Sequence, residues 1–213
     1  FGGSIFWDVS ALFVPDGFVA IADFLYDPST LYPEVVLVCP GRVDGLNKNG
    51  MVYLLDDVET AAPIIAFSSD IPGGNAAFSA GKPNGGPPVV GDFNGDGNPE
   101  IGVAGYNRYT IFDSSLTILT QFVISDTSSG VCSSSAFDFD DDGKDDIVYR
   151  DEVNLYIFSS GTISTPCTSS TGYELPTIAD VDKDCRAEIV VSANGPNYNG
   201  VYVYENDYWS GTR

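Results

Sequence analysis

The sequence predicts an all-β fold, a β-propeller or a segment of one with about four four-stranded blades, and three observations predict it. An acidic motif recurs at intervals of roughly 40 to 50 residues, the range of a solenoid or propeller repeat. Short β-branched and aromatic runs fill the intervals. No window of about eleven or more residues holds a helical period without a Gly or Pro breaking it.

The strong copies are GDFNGDGNPEIGVAG from Gly91, FDFDDDGKDDIVYRD from Phe137 and ADVDKDCRAEIVVSA from Ala179; their lead aspartates Asp92, Asp138 and Asp180 are 46 and 42 residues apart. A fainter copy, ADFLYDPSTLYPEVVLVC from Ala22, places Asp23 a further 69 residues upstream, with a longer loop inside the motif.

In chain order, the repeat over 16–70 supplies VVLV, MVYLL and IIAF as strands. The Gly/Pro-rich run from Asp70 to Pro88 then adds loop length. The repeat over 86–125 carries IGVA and YTIF, that over 130–168 carries IVYR and NLYIF, and that over 172–208 carries EIVV and GVYVYE. Each run is bounded by Gly, Asn, Asp, Ser or Pro, so each reads as a strand, and about four strands per period make a propeller blade. The whole of 1–213 reads as one domain or as a fragment of a larger ring.

The motif has the chemistry of a metal loop. Oxygen-bearing side chains fall at positions 1, 3, 5 and 9: Asp92, Asn94, Asp96 and Glu100; Asp138, Asp140, Asp142 and Asp146; Asp180, Asp182, Asp184 and Glu188. Alternate carboxylates on a tight loop converge on one point, and a hard cation with six to eight oxygen ligands at about 2.3–2.6 Å needs that convergence. The carbonyl at position 7 (Asn98, Lys144, Arg186) is a further candidate ligand. Gly97 and Gly143 at position 6 supply a left-handed backbone turn. Calcium fits best, with about three ions in the chain. An EF-hand would need a bidentate Glu at position 12, where Val103, Tyr149 and Val191 stand. Here the position-9 acid runs directly into a strand.

These residues resemble the FG-GAP or VCBS-type calcium-binding propeller repeats of integrin α subunits and of many secreted bacterial surface proteins. The resemblance is strong from about Pro87 to Glu205 and weak from Asp16 to Ser69. It implies a DxDxDGxxD loop joining the first two strands of a blade, Ca²⁺ held by the twelve side chains named above, and a ring whose faces meet partners. Cys185 departs from the pattern at the Gly position of the third loop. The first copy keeps Asp23, Asp27 and Glu34 without the spacing and is not read as a metal loop. The absence of Gly-Ala-Pro places the chain nearer the bacterial branch.

Composition narrows function. Thirty acidic against nine basic residues leave a net charge of −21, which repels nucleic acid and anionic membrane surfaces. The chain has no histidine, which removes Ser-His-Asp and Cys-His catalysis, HExxH zinc sites and His-ligated haem. SAGK (Ser79 to Lys82) fits SxxK formally, but without SDN or KTG companions it is read as chance. Thirteen of the 30 acidic residues lie inside the three loops, so acid pairs elsewhere carry little information about glycosidase chemistry. Tyr106, Tyr109, Tyr149, Tyr156, Tyr173, Tyr198, Tyr202 and Tyr204 read as strand core and blade edge. No run approaches the ~18 apolar residues that span a bilayer.

Four cysteines permit three full pairings. Cys132 and Cys167 share Ser/Thr-rich flanks and bracket the third repeat, so a bridge between them would stabilise by about 4 kcal/mol through chain entropy. Cys39 and Cys185 remain open. The expected function is a calcium-stabilised binding, adhesion or display module of a secreted or cell-surface protein, not an enzyme. It would take a protein or glycan ligand and join further blades or subunits; a propeller lectin or a polysaccharide-acting enzyme using a face cleft is the alternative. An oxidising, calcium-rich location agrees with the affinity of about 10⁻⁴–10⁻³ M expected of extracellular Ca²⁺ modules. The opening FGGSIFWDVS lacks an initiator Met and a signal h-region, which sets the expectation of a processed chain or a piece of a longer one.

Overall fold

The computed structural model describes residues 17–25, 32–39, 50–56, 64–72, 85–126, 132–158, 162–166, 174–195 and 198–209. Among these residues there is no helix, and fifteen strands form four antiparallel sheets. Sheet 1 holds β1 (Phe18–Ala22), β2 (Glu34–Cys39), β3 (Met51–Asp56) and β4 (Ile64–Asp70). Sheet 2 holds β5 (Val89–Gly91), β6 (Glu100–Gly105), β7 (Arg108–Phe112) and β8 (Ile118–Val123). Sheet 3 holds β9 (Ser134–Phe137), β10 (Asp146–Arg150), β11 (Asn154–Phe158) and β12 (Thr162–Pro166). Sheet 4 holds β13 (Thr177–Ala179), β14 (Glu188–Gly195) and β15 (Tyr198–Tyr204). Every sheet is a meander in chain order. The expected four strands are present in sheets 1 to 3, whereas sheet 4 has three among the described residues.

The first strands of successive sheets are neighbours, β1 beside β5, β5 beside β9 and β9 beside β13, so the sheets form a row stacked face to face. Three apolar clusters fill the junctions. Val36, Val38, Val52 and Leu54 of sheet 1 meet Ile101, Val103 and Phe112 of sheet 2. Ala104, Tyr109 and Ile111 of sheet 2 meet Ile147, Tyr149, Tyr156 and Phe158 of sheet 3. Val148 and Leu155 of sheet 3 meet Ile189, Val191 and Ala193 of sheet 4. Each fully buried Val, Ile or Leu side chain contributes about 1.5–3 kcal/mol.

This stacking explains the burial patterns. In β6 and β10, covered on both faces, every residue is buried, as in sheets packed on both sides. In β1, covered on one face, burial alternates: Phe18, Ala20 and Ala22 pack inward, while Val19 and Ile21 are 65% and 63% exposed. The far end behaves alike, with Val201 and Val203 of β15 71% and 51% exposed. The outward faces of sheets 1 and 4 therefore do not pack on one another. Bulges interrupt the third-to-fourth strand register at Leu54/Leu55 and at Ile111/Phe112, where they increase local twist.

Several expectations fall on residues outside the described ones: Asp27, SAGK and Tyr173. Cys132 is buried and Cys167 lies outside the described residues; no disulfide joins the described cysteines Cys39, Cys132 and Cys185.

Candidate metal centres

All three expected loops lie between the first and second strands of a sheet, in sheets 2, 3 and 4. Each is organised by its own lead aspartate. Gly95 and Asp96 N–H donate to Asp92 Oδ1 (2.7 and 3.1 Å) and Gly97 N–H to Oδ2 (2.8 Å). Asp142 and Gly143 N–H bind the two oxygens of Asp138 in the same way (3.1 and 3.0 Å). Lys183 and Cys185 N–H bind those of Asp180 (2.6 and 3.2 Å). The position-5 carboxylate then accepts the position-7 N–H: Asn98 to Asp96, Lys144 to Asp142 and Arg186 to Asp184 (2.8, 2.9 and 2.8 Å).

These turns require left-handed backbone at two positions, not the single one the sequence pattern indicates. Gly95 and Gly97 have φ of 81° and 84°, Asp141 and Gly143 59° and 86°, and Lys183 and Cys185 69° and 72°. A side chain in that region costs roughly 1–2 kcal/mol. The first loop thus has two glycines, the second one, and the third none.

The convergence is real. Carboxylate oxygens within 4.8 Å of one another come from Asp92, Asp96 and Glu100, from Asp138, Asp140 and Asp142, and from Asp180, Asp182 and Glu188. Oxygens on opposite sides of one Ca²⁺ stand about 4.6–5.2 Å apart, so this all-oxygen donor set fits a hard divalent ion. Asp146 and Asp184 lie outside these groupings. Asp146 is one methylene shorter than the Glu at that position in the other loops, and Asp184 is turned to the Arg186 N–H. In the first loop Asn94 Nδ2 donates to both Asp96 Oδ2 (3.1 Å) and Glu100 Oε1 (2.6 Å), placing a positive dipole between two carboxylates.

The position-9 acid has a second task. It is buried in every repeat and accepts the N–H of the residue after the lead aspartate: Phe93 to Glu100 (2.7 Å), Phe139 to Asp146 (3.3 Å) and Val181 to Glu188 (2.7 Å). In the faint first copy Glu34 does the same for Phe24 and Leu25 (2.6 and 3.0 Å). It is a staple between loop and strand. Burial, with Asp140, Asp142 and Asp138 nearby, pushes the Asp146 carboxyl up to about 7 despite the Phe139 bond. Burial likewise raises Glu100, whereas the Asn98 N–H and the Asn94 and Asn98 amides lower Asp96.

Two features have no counterpart in the ligand pattern. Asp145, at position 8, ties the second loop to the first: Asp145 N–H donates to Asp92 O (2.8 Å), and Asp92 N–H donates to Asp145 Oδ2 (3.1 Å). The Lys144 stem closes over Gly95, 3.0 Å from where a Cβ would stand. The contrast of Asp145 with Pro99 and Ala187 at the same position was the available signal. At the other end of sheet 3, the fully buried Asp151 accepts from Ser125 N–H, Val153 N–H, Asn154 N–H and Tyr156 OH, and buried Asp126 accepts from Tyr149 OH. With their donors met, both are structural.

No curated protein is a significant sequence match to the chain. Among solved structures it resembles the biofilm matrix protein Bap1 of V. cholerae (TM-score 0.49, 19% identity, 88% of this chain and 30% of that one). It also resembles the Tc holotoxin pore of Photorhabdus luminescens (TM-score 0.43, 14% identity, 97% of this chain and 10% of that one). The chain thus spans less than a third of either. Over residues 92–149, which hold the two interlocked loops, the chain matches the FG-GAP-like repeat family.

Proposed function

We propose that this chain is a calcium-stabilised β-propeller segment that serves as a binding, adhesion or display module of a secreted or cell-surface protein. The observation that carries the reading is the recurrence, in the first connection of three successive sheets, of carboxylate oxygens within 4.8 Å of one another. Single acidic turns are common, but three in register on equivalent strands are not a feature of ordinary turn chemistry. In each loop the three carboxylates repel one another without a counter-ion, so the bound ion stabilises the fold by mass action. Three divalent ions would offset six of the 21 excess negative charges. The acids are engaged by backbone N–H groups rather than arranged as acid and base about a substrate cleft, which supports a non-catalytic module. An extracellular setting, where calcium is abundant, suits loops of this affinity class.

The test is thermal melting with calcium, with magnesium and with chelator. Chelation should lower Tm, calcium should restore it, and Asp140→Ala should weaken that dependence. Identical melting in calcium and chelator would remove the metal reading.

A further inference from the structure

The two ends of the row carry faces that complement each other. In sheets 2, 3 and 4, the first and third residues after the position-9 acid pack on the preceding sheet and are essentially inaccessible: Ile101 and Val103, Ile147 and Tyr149, Ile189 and Val191. In sheet 1 the same positions are Val35 and Leu37, only half-buried, and their β1 partners Ile21 and Val19 are exposed. The second and fourth positions face the following sheet, as Val36, Val38 and Val148 do. In sheet 4 these positions are Val190 and Ser192, paired with the exposed Val203 and Val201. Sheet 1 therefore shows the face that three internal junctions cover with a preceding sheet, and sheet 4 shows the face they cover with a following one.

We propose that a second copy of this chain occupies these faces, sheet 4 of each copy docking on sheet 1 of the other, so that two chains close one ring of eight sheets. The occupant is argued from continuity with the molecule's own junctions: what each end lacks, the opposite end of an identical chain carries. A head-to-tail contact must either close or polymerise, and eight sheets fall within the usual range for radial sheet arrays. The contact is apolar and β-branched, whereas each copy carries a net charge of −21. Salt that screens this repulsion strengthens the pairing, the opposite of charge-driven docking. The proposal stands apart from the calcium reading, because none of the docking residues belongs to a loop.

Sedimentation velocity of the full chain at about 100 µM and physiological salt reads this directly. A species of twice 22.7 kDa is expected. Ile21→Lys and Val203→Lys should each give monomers, with at least a tenfold weaker association, while far-UV circular dichroism stays unchanged and Tm falls to a value independent of protein concentration. Val201→Lys is the substitute if Val203→Lys misfolds, and Val19→Lys if Ile21→Lys does. Mixing the sheet 1 variant with the sheet 4 variant should restore a dimer, because one intact contact remains between them. A monomeric wild type, a dimer indifferent to both substitutions, or open-ended polymers would each overturn the closed pair.

Discussion

The junction between sheets 2 and 3 and the junction between sheets 3 and 4 are built from the same repeat and differ in almost every supporting contact. At the first, Asp145 and Asp92 exchange two hydrogen bonds and Lys144 covers Gly95. Behind them Tyr109 packs on Tyr149 and Phe158 with ring centroids 5.2 and 5.1 Å apart, and the Tyr109, Tyr149 and Tyr156 hydroxyls are anchored on Ser134, Asp126 and Asp151. At the second, Ala187 stands in the place of Asp145 and the buried strand residues Val148, Leu155, Ile189, Val191 and Ala193 are smaller, with the aromatic packing moved out to Phe139 and Trp209, whose ring centroids are 4.6 Å apart. A cavity of about 340 Å³ opens beside the third loop, between Ala136, Phe137, Ile178 and Cys185. Arg150, 1% exposed, donates one Nη1 bond to Ser192 O, and its Nε and Nη2 have no acceptor. The motif alone therefore does not set how firmly a loop is held. Its lateral neighbours do.

The largest expected effect tests the cores. Tyr149→Ala should cost about 3–5 kcal/mol in urea unfolding, and Val191→Ala, at the equivalent position of sheet 4, clearly less. Equal losses would erase the contrast. Next, Asp145→Ala leaves the Asp92 N–H without its partner and should cost about 1–3 kcal/mol. Asp145→Asn, which keeps an acceptor oxygen, should recover most of that, and a change within error for Asp145→Ala would mean the loops are not interlocked.

The third prediction concerns pH. Because Asp146 is raised from 3.8 to about 7 in the folded state, the folded chain binds the extra proton across that window. Stability from this group is therefore fully present below 3.8 and is lost as pH rises towards 7. Discounted for partial solvent access, the effect is about 1–2 kcal/mol. Melting curves in chelator should show this slope, and Asp146→Asn should flatten it; a wild-type profile flat from pH 4 to 7 would contradict the assignment. The smallest effect sharpens the loop comparison: Cys185→Gly relieves a left-handed side chain and should stabilise by about 0.5–1 kcal/mol, net of the added freedom of the unfolded chain. A loss of stability would show that the Cys185 side chain makes contacts outweighing its backbone strain.

Much of this was legible in the residues. VVLV, MVYLL, YTIF and NLYIF declared themselves as strands because β-branched and aromatic runs between turn residues have few other uses. The first strands did not: VVG, SSAF and TIA are short and partly polar, and they are strands because neighbouring sheets flank them. The spacing of the loops gave their convergence, but the left-handed Asp141 and Lys183 carry no residue signature. Asp145 escaped because a search for metal ligands counts alternate positions, and Asp151 because a lone acid after a strand looks like any turn. Glu34 persists where the rest of the ligand spacing is gone, a sign that the position answers to the backbone N–H groups it accepts.

That staple has an evolutionary consequence. Since a single carboxylate joins the start of the loop to the next strand, the residues between are relieved of holding strand register, and Asp23 and Glu34 stand 11 apart where Asp92 and Glu100 stand 8 apart. A repeat can then lengthen this connection and lose the ligand spacing while the sheet still forms. Loops of this kind can diverge into recognition surfaces without renegotiating the fold.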